Sequence, residues 1–137
     1  MKGLLFTILL LTLPLEQVHG QVQAGFNERG EMSWLKFNSS DFADKKFCNK
    51  LTVLEGTLAD VTFNVDGRIT DFYVKYKKKS KVAYWSLGFP EEFYEQLESR
   101  EISRIPTLMR EDNSVRVTFF TCGQKATLDI VSEIRRN

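Results

Sequence analysis

Between Leu51 and Val65 apolar and polar positions alternate, with Val61, Phe63 and Val65 set between Thr62, Asn64 and Asp66. A period of two is what a strand with one buried face requires. Asp66-Gly67 then supplies the pair favoured in a two-residue hairpin turn, where both central residues need positive φ. With Val65 opposite Arg68, Phe63 faces Thr70 and Val61 faces Phe72, so Phe72, Val74 and Tyr76 continue one apolar face. Thr62, Asn64, Asp71, Tyr73 and Lys75 take the wet face. Lys77-Lys78-Lys79-Ser80 reads as a charged hairpin tip. Lys81 to Leu87 returns as a third strand, with Ala83, Trp85 and Leu87 on one side and Val82, Tyr84 and Ser86 on the other.

The period changes at Pro90, which suits a first helical position. Glu91 and Glu92 favour the positive helix N-terminus, and Phe93 with Leu97 forms an i, i+4 apolar pair. A helix is expected from Pro90 to about Ser99, with Pro106 stopping or restarting it, so that Ile102, Ile105, Leu108 and Met109 fall on a second short turn or helix. Two strands finish the chain. Val115, Val117 and Phe119 alternate with Arg116 and Thr118; after Cys122-Gly123, Ala126, Leu128 and Ile130 alternate with Thr127, Asp129 and Val131. Three strands, a helix and two strands are the order of a five-stranded, partly open OB barrel. The fold class expected is therefore mainly β, an OB-like β-β-β-α-β-β barrel with an N-terminal extension and one disulfide. The rival is an immunoglobulin-type sandwich. It requires a core tryptophan soon after the first cysteine, whereas Trp85 lies 37 residues past Cys48, and strands where the Pro90 segment reads as helix.

The N-terminus has a different character. Lys2, the apolar run Leu4 to Leu15 and a short polar stretch have the three-part form of a secretory signal peptide, and Val18-His19-Gly20 puts small residues at −3 and −1 of a cut before Gln21. A second site after Val22-Gln23-Ala24 lies far from the run. A retained anchor is disfavoured because a spanning helix needs about 20 apolar residues. Residues 1–20 are thus expected to be a signal peptide, 21–47 an extension packing on the barrel, and 48–137 the OB-like domain. The extension carries Phe26, Trp34, Phe37, Phe42 and Phe47 among turn residues, and its pattern admits a strand over Met32 to Phe37. Export gives the cysteine count its meaning: two cysteines, Cys48 and Cys122, read as one structural disulfide in an oxidising compartment. Free thiols, a metal pair or a redox site are the weaker alternatives, since there is no Cys-x-x-Cys. Asn38-Ser39-Ser40 is a single glycosylation sequon.

This layout resembles the bacterial enterotoxin B subunits, the cholera-toxin-like and subtilase-toxin-like carbohydrate-binding modules. The features that carry the resemblance are Cys48 before the first barrel strand, the Pro90-to-Met109 segment after the third, Cys122 at the end of the next strand, and a final apolar strand over Ala126 to Ile134. It spans about 90 residues, is architectural, and transfers no sugar-binding signature; the segment 21–47 is longer than that family uses. The resemblance implies an exported OB barrel that binds carbohydrate, in a ring of identical chains.

Composition narrows the chemistry. Hydrophobic residues make up 42% and aromatics 12%, too many for a disordered chain, and 19 Lys+Arg against 18 Asp+Glu give a charge too small to hold nucleic acid. The sole histidine, His19, leaves with the signal peptide, which removes histidine-based nucleophilic systems and histidine-ligated metals. Glu91, Glu95 and Glu98 read as a solvated helix face, Asp129 and Glu133 as the outer face of the last strand, and no phosphate-binding glycine loop or EF-hand is present. No enzyme activity, metal or cofactor is expected. The remaining feature is a basic and aromatic cluster, in which Tyr73, Tyr76, Lys77, Lys78, Lys79 and Tyr84 are the candidate ligand-binding residues beside Lys75, Lys81 and Trp85. OB folds bind oligosaccharides on their second and third strands, whereas a lysine-rich tip also serves simply to keep an exposed hairpin from pairing with other edges.

Two functions of different class follow. One is a secreted or periplasmic recognition module that binds a glycan or cell-surface receptor, open to homo-oligomer formation. The other is a monomeric protein-interaction factor, such as an inhibitor or envelope accessory protein. Neither uses nucleic acid or stable membrane insertion after signal cleavage.

Overall fold

The computed structural model describes residues 22–37, 48–90, 93–122 and 129–137. The expected signal peptide, the Asn38 sequon, Phe42 and Phe47, the expected helix start at Glu91-Glu92 and the Ala126–Leu128 portion of the expected last strand lie outside them.

Seven strands form one sheet: β1 (Val22–Phe26), β2 (Met32–Phe37), β3 (Cys48–Phe63), β4 (Ile69–Lys78), β5 (Lys81–Gly88), β6 (Ser114–Cys122) and β7 (Asp129–Arg136). The chain is thus mainly β, with seven strands where five were expected. The additional pair comes from the extension, where the pattern over Met32 to Phe37 does form a strand. β3, β4 and β5 make the expected antiparallel meander. β3 also pairs with β6, β6 with β7, and β7 runs parallel to β5, so the pairings among these five strands return to their starting point. One side of β7 lies along β6. Its other side is divided: Asp129 and Ile130 pair with β5, and Glu133 to Arg135 with β2.

β3 holds this arrangement together. Over its 16 residues it pairs with β6 from Cys48 to Thr57 and with β4 from Thr57 to Phe63. The change of partner occurs at Thr57, and beside it a Cβ on Gly56 would stand 2.2 Å from the Lys75 carbonyl oxygen; only glycine lets the two backbones approach so closely. At the start of the same ladder Cys48 lies opposite Cys122, and the expected disulfide joins them.

The hairpin after β3 differs from the expected two-residue turn. Asn64 pairs with Arg68 through an N–H donated to the Arg68 carbonyl at 2.8 Å, and Gly67 takes φ +78°. The loop therefore has three residues, Val65, Asp66 and Gly67, a turn closed by a left-handed glycine. The Asn64 Oδ1 accepts N–H bonds from Asp66 and Arg68 at 2.9 and 3.0 Å, which stabilises the longer loop. Irregular pairing between Ala59 and Phe63, with Asp60 at φ 48°, further shifts the register. Phe63 consequently pairs with Ile69 and is 49% exposed rather than buried, while Leu58 takes the core position. The two-residue turn with both residues at positive φ occurs instead at Lys79-Ser80 (φ 51° and 69°), where Lys78 pairs with Lys81.

The helical segment is also placed differently. Phe93–Gln96 forms a short 3-10 turn, and the α-helix α1 runs from Ser99 to Leu108. Its start is set by a reciprocal capping box between Glu98 and Glu101. Pro106 does not stop the helix: in the last turn its fixed φ is helical and only one backbone bond is forgone. α1 docks on β2, where the Met32 N–H donates to Thr107 Oγ1 at 2.8 Å. The core beneath contains Phe37, Leu58, Phe72, Leu87, Phe119 and Ile134, all essentially inaccessible. Phe37 meets Phe93 and Phe89 with ring centroids 5.2 and 5.6 Å apart. Val115, Val117 and Phe119 point inward as their alternation requires, but so does Val131, because a register shift between Thr118 and Phe119 moves the apolar phase of β7.

Candidate functional site

The β4–β5 register sorts the basic and aromatic cluster by face. Tyr73, Lys75 and Lys77 alternate outward on β4, and Val82 and Tyr84 do so on β5, with Lys75 directly opposite Tyr84 and Lys77 opposite Val82. Tyr73 is 37% and Tyr84 55% exposed, and their rings meet edge to face at 6.3 Å. Tyr76 shares the inward parity of Phe72 and Val74. It is half-buried, with its ring 6.2 Å from Trp85. Lys78 and Lys79 stand at the exposed hairpin tip. Of the six candidate residues the fold therefore gathers Tyr73, Lys77 and Tyr84 on one surface, adds Lys75 and Val82 to it, sets Lys78 and Lys79 at its end, and turns Tyr76 away.

Beside this surface β3 leaves β4. Their last pair on that side is Thr57 with Lys75, so β4 beyond it runs alongside an opening. A depression of about 290 Å³ lies there, lined by Glu55, Thr57, Lys75, Lys77, Val82 and Ser114, and Tyr76, although of inward parity, also borders it. Two exposed rings, two lysines and an adjoining depression form a surface able to stack on a flat apolar face and attract negative charge.

No family model matches the chain, and no curated protein or solved structure matches it.

Several carboxylates among the described residues have structural roles. Glu98 and Glu101 cap α1, and Glu95 lies on the 3-10 turn rather than on a shared helical face. Asp129 is half-buried, not a simple outer-face acid. Its two oxygens accept from the Trp85 indole N–H and the Cys122 backbone N–H, each at 2.7 Å, so one side chain links β5, β6 and β7. Sequence reasoning missed this role because Trp85 and Asp129 are 44 residues apart. Glu31 forms a second hub: Asn27 Nδ2 donates to it at 3.0 Å, and Arg29, Arg136 and Arg110 stand at 3.1, 3.6 and 4.0 Å. The Asn27 hydrogen bond, together with these three cations, holds its carboxyl below the usual carboxylate range against the opposing effect of burial. Among the described residues no group of three or more His, Cys, Asp or Glu is placed to hold a metal ion, and no helix is long and apolar enough to cross a membrane.

A further cleft of about 350 Å³ opens beside Tyr94, between Arg68 and the Phe89–Phe93 pair. The Tyr94 oxygen accepts the Ile69 N–H at 2.8 Å, and burial pushes its hydroxyl pKa up. This tyrosine anchors the 3-10 turn to the start of β4.

Proposed function

We propose that the protein is an exported, non-enzymatic recognition module of OB-barrel type, binding a glycan or cell-surface receptor through the outer face of β4 and β5. The observation that carries this reading is the exposed Tyr73–Tyr84 pair, with Lys75 and Lys77 on the same face. Rings of this kind stack on the C–H faces of sugars, and the ammonium groups favour acidic ones. The OB assignment is supported by the order of pairings: a meander, a helix between its third strand and the next, and a last strand parallel to the third. The disulfide is compatible with an extracellular or periplasmic location.

The test is a panel of immobilised neutral and acidic glycans probed with the secreted protein at several salt concentrations. Any glycan bound is then tested with Tyr84→Ala and with Lys77, Lys78 and Lys79 all changed to Gln. Tyr84→Ala should weaken binding at least tenfold, and the lysine variant should flatten its salt dependence. Unchanged binding of the same glycan by both variants would refute the assignment. The second reading, a monomeric protein-interaction factor, is favoured by the exposure of Leu51 and Val53 on the outer face of β3. A monomer in native mass spectrometry that binds no glycan would support it.

A further inference from the structure

The hairpin joining β1 to β2 and the first two turns of α1 enclose a cleft of about 280 Å³ lined by Phe26, Gly30, Arg100 and Arg104. Arg100 carries its guanidinium 5.9 Å above the Phe26 ring, which is 38% exposed. The Arg104 guanidinium carbon lies 3.8 Å from where a Cβ on Gly30 would stand, so the missing side chain leaves that cation open to the cleft.

The charge here is unbalanced. The chain has eight arginines, all within the described residues, and Arg29, Arg110, Arg116, Arg135 and Arg136 each have a carboxylate within 4.0 Å. Arg68 covers the Tyr94 ring. Among the described residues no carboxylate lies within that distance of Arg100 or Arg104, although the two repeat at i, i+4 on one helix, where like charges repel. The nearest candidates by sequence are committed elsewhere. Glu101 accepts the Glu98 N–H at 2.9 Å in the capping box, Glu31 is held by the three other arginines, and Glu28 of the hairpin turn pairs with neither. Two cations thus converge on a small cleft that also presents an aromatic face.

From this geometry we infer that the cleft binds one acidic sugar residue, its carboxylate or sulfate held by Arg100 and Arg104 and its C–H face resting on Phe26. The guanidinium fork matches both oxyanions bidentately. The volume lies just below the range of about 300–1,000 Å³ usual for whole drug-sized ligands, which suits a single ring rather than a chain buried along its length. This inference rests on the glycan-recognition reading but uses a different surface, with its own residues.

The experiment is NMR titration of the arginine Nε–Hε signals of the ¹⁵N-labelled protein with glucuronate, N-acetylglucosamine 6-sulfate, neutral N-acetylglucosamine and sodium sulfate. Both acidic sugars should give saturable shifts at Arg100 and Arg104, at least tenfold tighter than the neutral sugar or the free sulfate ion. The Arg100→Gln, Arg104→Gln double variant should lose that binding while keeping a dispersed amide spectrum. Phe26→Ala should weaken the two sugars and leave sulfate unchanged. Shifts absent from both arginines, sulfate binding as tightly as its sugar ester, or unchanged binding by the double variant would each overturn the inference. Tyr73→Ala with Tyr84→Ala separates the two surfaces. Panel binding that survives loss of both arginines but not of both tyrosines would refute the cleft and leave the β4–β5 reading standing; the opposite pattern would refute the latter.

Discussion

Removing the disulfide, by changing Cys48 and Cys122 together to Ala, should destabilise the protein through its unfolded state. The bridge closes a loop with a sequence separation of 74. Chain-entropy arithmetic for a loop of that length gives about 4 kcal/mol at 25 °C. Against a net stability of about 5–15 kcal/mol for a domain of ordinary size, this is a large fraction. The two cysteines sit directly opposite one another at the start of a ladder that runs without them to Thr57–Ser114, so the alanine protein should still fold with the same strand pairings. Urea unfolding of the oxidised protein, the same protein in reductant and the double alanine variant measures the effect. The two bridge-free forms should agree with one another, lose about 4 kcal/mol, and show a steeper dependence on urea because their unfolded chains expand further. The melting midpoint should fall by roughly 10–20 °C. A loss below about 1 kcal/mol with an unchanged urea slope would refute the loop-entropy argument, by showing that the loop ends stay close in the unfolded chain.

Gly56→Ala places a methyl group against the Lys75 carbonyl and should cost about 2–3 kcal/mol in the same assay; a loss under about 0.5 kcal/mol would mean that β3 and β4 do not close on this residue. Lys79→Asn with Ser80→Gly puts residues suited to positive φ into the two-residue turn and should raise stability by about 1 kcal/mol, whereas a decrease would contradict the turn geometry. Glu31 has a lowered pKa, so its contribution is present above the ordinary carboxyl value of 4.5 and disappears as the pH falls through the lower folded-state value. Glu31→Gln should therefore melt below the parent at neutral pH, with the difference closing on acidification through that window; a constant difference would remove Glu31 as its source.

The parts of the fold legible in the sequence are those written in local alternation. Val115, Val117 and Phe119 face inward as spaced, Met32–Phe37 forms the strand its pattern admits, and Tyr73 and Tyr84 fall on the outer face because their neighbours Phe72, Val74 and Trp85 do not. The errors arise where one residue changes the count. Gly67 and the Asn64 side chain lengthen a turn by one position, and the irregular pairing beyond Ala59 shifts the phase again, which exposes Phe63. A similar shift on β7 buries Val131. Neither leaves a mark on hydropathy. The split of the candidate cluster was implicit in its own alternation, since Tyr76 has the parity of Val74. The arginine cleft was not, because Phe26 and Gly30 stand more than 65 residues from Arg100 and Arg104, and only the docking of α1 on β2 brings them together.

The divided side of β7 also sets an order of assembly. The β3–β5 meander can pair as soon as its own residues are available, but among the described residues the β1–β2 hairpin joins the sheet only through Glu133, Ile134 and Arg135. The β1–β2 hairpin must therefore wait until residues 133–135 have been made. A truncation or bulky fusion that disturbs residues 133–135 should release a hairpin more than 95 residues upstream, together with the floor that β2 provides for α1. Limited proteolysis between β1 and β2 would then report the integrity of β7.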